Sequence, residues 1–238
     1  LVGPGGQDLP LQLQGEEQPG VGTRTIVISQ REQTLVFVNV STEPVPSLLR
    51  GFSAPVSLEH DYSDDQLLHL LAHDSDPFNR WEAGQRLALR CTLLAITAGT
   101  VADVLSPAYL EAMRGILRHD TLDAAFKELV LTLPSESYIA EQLEVVDPQQ
   151  IHAVRDAMRL QMANALADDW KQAYEANQNT GAFRPDPVSS GKRALAGLAL
   201  GMLCLGANSD MWPGKTFERF KQAGNMSDRL SALAALVP

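Results

Sequence analysis

Cysteine is nearly absent. Cys91 and Cys204 are the two in 238 residues, they lie far apart, and each sits in an Ala/Leu-rich run. A disulfide framework is thereby excluded, and the pair reads as buried thiols in a reducing compartment. Basic residues are also in deficit, 19 against 29 acidic ones, for a formal charge of -10. Such a balance repels a phosphate backbone unless cations are gathered locally. The nearest gathering is Arg184, Lys192 and Arg193, then Lys215, Arg219 and Lys221, but acids and apolar residues separate them and no aromatic alternates with them. Nucleic acid is therefore not an expected partner. The most apolar run, Leu195 to Ala207, is too short for a membrane span, which needs roughly 20 residues. The opening Leu1-Val2-Gly3-Pro4 carries no basic stretch followed by an apolar one, as a secretory signal would. Asn39-Val40-Ser41 and Asn225-Met226-Ser227 match glycosylation triplets, which are frequent by chance. A cytoplasmic protein with no membrane partner is the expectation.

Apolar residues make up 45% of the chain and charged residues 20%, the balance of an ordinary globular protein. Alanine marks a change of character. One of 28 alanines, Ala54, precedes residue 64, whereas six of 14 prolines and seven of 17 glycines do. Residues 1–60 therefore read as β structure with turns, and 61–238 as helices. In the first part Leu9, Leu11 and Leu13 alternate with Pro10, Gln12 and Gln14. Ile26 and Ile28 belong to a β-branched run, and Leu35–Val40 form another, so these last two are expected to pair as a hairpin. So small a sheet must bury its apolar face against something else, which suggests a segment of a larger molecule.

The second part is punctuated by capping signals. Ser63 and Gln66 have capping-box spacing, and Asp76-Pro77 and Asp147-Pro148 each place proline just inside a helix start. From Asp147, Ile151, Val154, Met158, Met162, Leu166 and Trp170 form an apolar stripe along one helix of about 28 residues. Further helices are expected near 77–98, 107–119, 122–133, 136–145, 190–205, 213–223 and 228–237. Their short connections favour antiparallel neighbours stacked as a solenoid, although no internal repeat is evident. Gly197 and Gly201 allow close helix packing.

Catalytic constellations are missing. His69 and His73 lie one helical turn apart, but Leu70 stands where a zincin places its glutamate base, and no further ligand is nearby in sequence. His60, His119 and His152 are scattered. There is no nucleophile elbow, phosphate loop or dinucleotide fingerprint, and no histidine adjoins Cys91 or Cys204. The carboxylate pairs Asp168/Asp169, Asp64/Asp65 and Glu43/Glu59 have no context that raises a pKa. Packing accounts for Trp81 and Trp170, whereas Trp212, at a helix start before Pro213, is left open to exposure and a ligand-facing role.

Two strings span the change of composition: Pro46-Ser47-Leu48-Leu49-Arg50-Gly51-Phe52-Ser53-Ala54-Pro55-Val56, and His73-Asp74-Ser75-Asp76-Pro77-Phe78-Asn79-Arg80-Trp81-Glu82-Ala83-Gly84-Gln85. They resemble the region after the catalytic domain in the bacterial aminopeptidase N family of gluzincin zinc metallopeptidases. Leu166–Trp170 and Asn225–Asp228 share that look. The resemblance implies a multidomain β + α architecture, with a partial immunoglobulin-like β-sandwich over 1–60 and the first part of an all-α superhelical domain, ARM/HEAT-like, over 61–238. It implies a parent enzyme that removes unblocked N-terminal residues from peptides with zinc held by a His-Glu-x-x-His helix and a downstream glutamate. No position here matches those, so the resemblance assigns no catalytic, cofactor-binding or metal residue to this chain. Its implied partners are an upstream catalytic domain of the same chain and the peptide substrates, and its implied role is to support and cap the cleft. Asp76 is expected to cap the helix at Pro77, Phe78 and Trp81 to pack back on the preceding helix, and Arg50 or Arg80 to bond carbonyls or carboxylates at the junction. The alternative is an independent helical-repeat interaction module unrelated to a peptidase.

Overall fold

The structure is a computed structural model that describes residues 1–207 and 210–237. It divides into two compact units, Leu1–Arg86 and Leu87–Pro238. Its helices are α1 (Asp64–His73), α2 (Pro77–Ala98), α3 (Pro107–Arg118), α4 (Ala124–Leu131), α5 (Glu136–Ala140), α6 (Pro148–Ala165), α7 (Ala167–Ala176), α8 (Pro187–Leu205), α9 (Trp212–Gln222) and α10 (Met226–Leu236).

The first unit holds α1, the start of α2 and a long irregular segment. Among the described residues that segment contains isolated antiparallel bridges and no extended strand: Val2 with Asp8 and Val45, and Leu13 with Phe37. The hairpin expected between the Ile26/Ile28 run and Leu35–Val40 does not form. Instead Gln14 N donates to Val36 O at 2.9 Å and Val38 N to Gln12 O at 2.9 Å. Asn39 Nδ2 adds a bond of 2.8 Å to the buried Gln12 Oε1, which favours this longer-range partner. Val27 and Ile28 are left exposed. The core gathers Val2, Leu11 and Tyr62 with Leu67, Leu70 and Leu71 of α1. The Ser63/Gln66 capping box forms as expected. Tyr62 donates to Pro46 O at 2.8 Å, and burial pushes its hydroxyl up to about 12.

The second unit is helical. Side-chain oxygens of Ser106, Asp123, Ser135, Asp147, Asp186 and Asn225 accept from the first turns of α3, α4, α5, α6, α8 and α10 respectively. The central element is α8, which packs against α4, α6, α7, α9 and α10. By length and composition it is apolar enough to cross a membrane, but here it packs against neighbouring helices that bury Leu195, Ala196, Ala199, Leu200, Met202 and Leu203. Small residues let them approach. A Cβ on Gly191 would lie 2.8 Å from Ala125 N of α4, and one on Gly197 would collide with Ser231 of α10. Gly201 faces nothing within 4 Å, so only one of the two glycines expected to permit close packing does so.

The stripe from Ile151 to Trp170 is buried throughout, each side chain contributing about 1.5–3 kcal/mol of transfer free energy. It does not run along one helix. Leu166, at φ -115° and ψ 23°, separates α6 from α7. The break lets the Trp170 indole N–H reach Met162 O at 3.0 Å, so a fully buried tryptophan keeps a partner for its polar atom.

Candidate functional site

The richest polar cluster lies in the first unit, where the two junction strings meet. Leu49, Gly51 and Phe52 adopt left-handed φ angles of 55°, 63° and 53°. For Leu49 and Phe52 that conformation costs on the order of 1 kcal/mol each. The turn presents Arg50 inward. One guanidinium nitrogen donates to Asp8 Oδ1 and Asp74 Oδ1, both at 2.8 Å, and the other to Asp8 Oδ2 at 3.0 Å and Thr23 Oγ1 at 2.8 Å. Nε donates to Ser47 Oγ at 2.7 Å. Arg50 thus binds Asp8 in the bidentate fork that matches carboxylate geometry. Its hydrogen bonds, joined by one from Ser75, outweigh burial and hold the Asp8 carboxyl below its usual range.

Asp74 is fully buried, and its Oδ1 also accepts from Asp76 N at 2.9 Å. Asp76 caps α2 through Asn79 N at 2.9 Å and also accepts from Gly51 N at 3.1 Å, tying the turn to the helix start. Asn79 Nδ2 reaches back to Ser47 Oγ and Leu48 O. Arg80 donates to Ala72 O at 3.1 Å; burial lowers its pKa and the Asp74 charge opposes that shift. The arginine bonds and the cap thus stand as expected. Phe78 packs 4.4 Å from Phe52 of the turn and 5.5 Å from Trp81.

The later strings are joints as well. Asp169, buried on α7, accepts from Arg118 Nε at 2.6 Å and Arg114 Nε at 3.2 Å, which ties α3 to α7. Arg114 also donates to Ala165 O at the end of α6. Asn225 caps α10 through Asp228 N, and Asp228 accepts from Arg219 of α9 at 3.5 Å. In each case a charge-assisted bond fixes the meeting of two segments.

The rings of His69 and His73 are 4.9 Å apart and tilted. His69 Nε2 lies 2.9 Å from Gly3 O, so that nitrogen donates a proton and offers no lone pair to a metal. Burial, with His69 and Arg80 nearby, lowers the His73 pKa. Among the described residues no group of three or more His, Cys, Asp or Glu side chains is placed to hold a metal ion. The zinc of the resembled family does not fit these residues. Burial pushes the Cys204 thiol up, against a contact of 3.2 Å with Thr216 Oγ1, which opposes the thiolate that a nucleophile needs. Asp169 is committed to its arginines, while Asp168, Asp64, Asp65, Glu43 and Glu59 are exposed. Trp212, left open to a ligand-facing role, is buried. Tyr174 meets it edge-on at 5.5 Å and the Lys215 ammonium lies 4.9 Å over its ring. Sequence reasoning missed Asp8, Thr23, Arg114 and Arg118 as members of these joints. Asp8 is 42 residues from Arg50 and carries no local signal.

Residues 64–238 match the family model of a domain of unknown function, DUF3458_C, described as ARM repeats. Residues 1–61 match DUF3458, described as an Ig-like fold. The chain is 36% identical over 236 residues to aminopeptidase N of Escherichia coli K12, covering 98% of this chain and 26% of that protein. It is 35% identical over 215 residues to aminopeptidase N of Caulobacter vibrioides, covering 90% and 25%. A crystal structure of Legionella pneumophila aminopeptidase A in complex with aspartic acid superposes with a TM-score of 0.69 at 26% identity, over 84% of this chain and 25% of that one. The chain therefore spans about a quarter of the length of the relatives it matches. With both domain models matched in order and the junction strings forming its joints, the chain belongs to the bacterial aminopeptidase N family and corresponds to its C-terminal part.

Proposed function

We propose that this chain is the non-catalytic C-terminal portion of a zinc-dependent aminopeptidase that removes N-terminal residues from peptides. In this reading residues 1–60 form the latter part of a small β-sandwich domain and residues 61–238 the first part of the helical domain. The catalytic domain, with the zinc ligands and the general base, lies upstream in the same cytoplasmic polypeptide. The residues described above support and cap its cleft and restrict access to peptides.

The observation that carries this reading is the use made of the resembling strings. Arg50, Asp74, Asp76 and Asn79 are spent on one another, as are Arg114, Arg118 and Asp169, so the chemistry of these positions is mechanical. An interaction module unrelated to a peptidase is not favoured, since an aminopeptidase relative aligns over 98% of the chain. The test uses the polypeptide that joins this chain to the catalytic domain. Arg118→Gln with Asp169→Asn, which loosens the tie between α3 and α7, is expected to raise cleavage at the N-terminus of a folded protein relative to a dipeptide anilide. An unchanged ratio in a variant whose melting temperature has fallen would count against the access role.

A further inference from the structure

Arg184, Lys192 and Arg193, dispersed in sequence, line one cavity of about 380 Å³ together with Asn179, Thr180 and Asn225. The chain reaches this arrangement through the connection between α7 and α8. Gly181, at φ 90°, takes a left-handed turn that side chains disfavour. Phe183 then lies under the Arg193 guanidinium, 4.5 Å from it, on the first turns of α8. This contact holds the guanidinium plane in place, and Ser190 Oγ accepts one of its N–H groups at 2.8 Å. The remaining Arg193 donors have no hydrogen-bond partner among the described residues. The Arg184 and Lys192 side chains have neither a hydrogen bond nor an ion pair there.

The carboxylates nearby are already committed. Asp228, which also lines the cavity, accepts from Asn225 and Arg219. Asp186 accepts from Ser189 N and Oγ as the cap of α8, with the Arg184 charge acting on it. Three cations therefore face one space whose lining carboxylate, Asp228, is already paired with Arg219, in a chain whose net charge is -10. Gathering like charges opposes folding, and an anion in the cavity would reverse that sign.

We propose that this cavity is a binding site for a small oxyanion, the carboxylate of a peptide or a phosphate group, held by Arg184, Lys192 and Arg193. Guanidinium groups form paired hydrogen bonds with either anion, and Lys192 adds a point charge. The site goes beyond the aminopeptidase reading and does not depend on it.

The test is a calorimetric titration of the full chain at low salt with N-acetyl-Ala-Ala, its C-terminal amide and inorganic phosphate. The acetyl group blocks the free amine that an aminopeptidase requires, so failure here is separate from failure of that reading. The expected result is saturable binding of N-acetyl-Ala-Ala or of phosphate, weak or no binding of the amide, and an affinity that falls with added salt. Binding of the acid names the carboxylate as source, and binding of phosphate alone names phosphate. Arg184→Gln with Lys192→Gln is expected to weaken binding roughly tenfold, and Lys171→Gln, outside the cavity, to leave it unchanged. No saturation by either anion, equal binding of acid and amide, insensitivity to salt, or undiminished binding by the double variant would each overturn the proposal. The salt series on the unaltered chain decides the matter even if the double variant does not fold.

Discussion

Arg50 and Asp74 meet at 2.8 Å, and Asp74 has no exposure to solvent on its side chain. The same guanidinium nitrogen serves Asp8, so one arginine bridges two carboxylates from segments far apart in sequence. Removing one member of a buried pair leaves an uncompensated charge, which costs more than the pair contributes. Arg50→Met should therefore lower the unfolding free energy by about 3 kcal/mol in urea titrations. A loss below about 0.5 kcal/mol, the range of ordinary surface changes, would show that the joint is ornamental.

Asp76 sits beside this pair and does two things, capping α2 and accepting from Gly51 N. Asp76→Ala should cost about 1 kcal/mol for the cap, with a further contribution from the turn. Asp76→Asn should lose less than the alanine variant, because its amide oxygen can still accept from Asn79 N. Thermal melts of the two variants against the parent provide the comparison, and equal melting of parent and Asp76→Ala contradicts the assignment.

These joints show how far the sequence could be read. The Asp76-Pro77 signal gives the start of α2 because capping is local, and Arg50 and Arg80 could be placed at the junction because both lie in the recognised strings. Asp8 was not legible, since nothing near it announces a partner 42 residues away. The break at Leu166 is hidden for a different reason: the apolar spacing runs on through it, and neither glycine nor proline marks it. Local hairpin logic pairs the run Leu35–Val40 with the nearest β-branched segment, whereas the Gln12–Asn39 bond fixes a more distant partner.

Two glycines of α8 should respond with opposite sign to the same substitution. Gly191→Ala drives a methyl to within 2.9 Å of the Ala125 Cβ and should destabilise the helical unit by about 1–3 kcal/mol. Gly201→Ala meets nothing within 4 Å and should stabilise it by up to about 1 kcal/mol through helix propensity. Urea unfolding of both variants tests the packing of α8, and the same sign for both would contradict it.

Two histidines should titrate on opposite sides of 6.5, the ordinary value. Burial depresses His73, so its contribution to stability is present above 6.5 and is lost as pH falls through its lower folded pKa. The bond to Glu136, with the Asp156 charge, raises His152, so its contribution is present below 6.5 and is lost as pH rises through its higher folded pKa. A proton NMR titration of the imidazole resonances reads both directly. Reversal of their order would refute the local geometry of α1 and of the α5–α6 contact.

On the proposed reading these residues build and hold, while the reacting groups lie in the upstream domain. The most direct measurement is the turnover of alanyl-4-nitroanilide by this purified chain, together with its zinc content, before and after treatment with a chelator. The account predicts no turnover and no stoichiometric zinc. Hydrolysis that accompanies bound zinc and disappears when the metal is removed would contradict it.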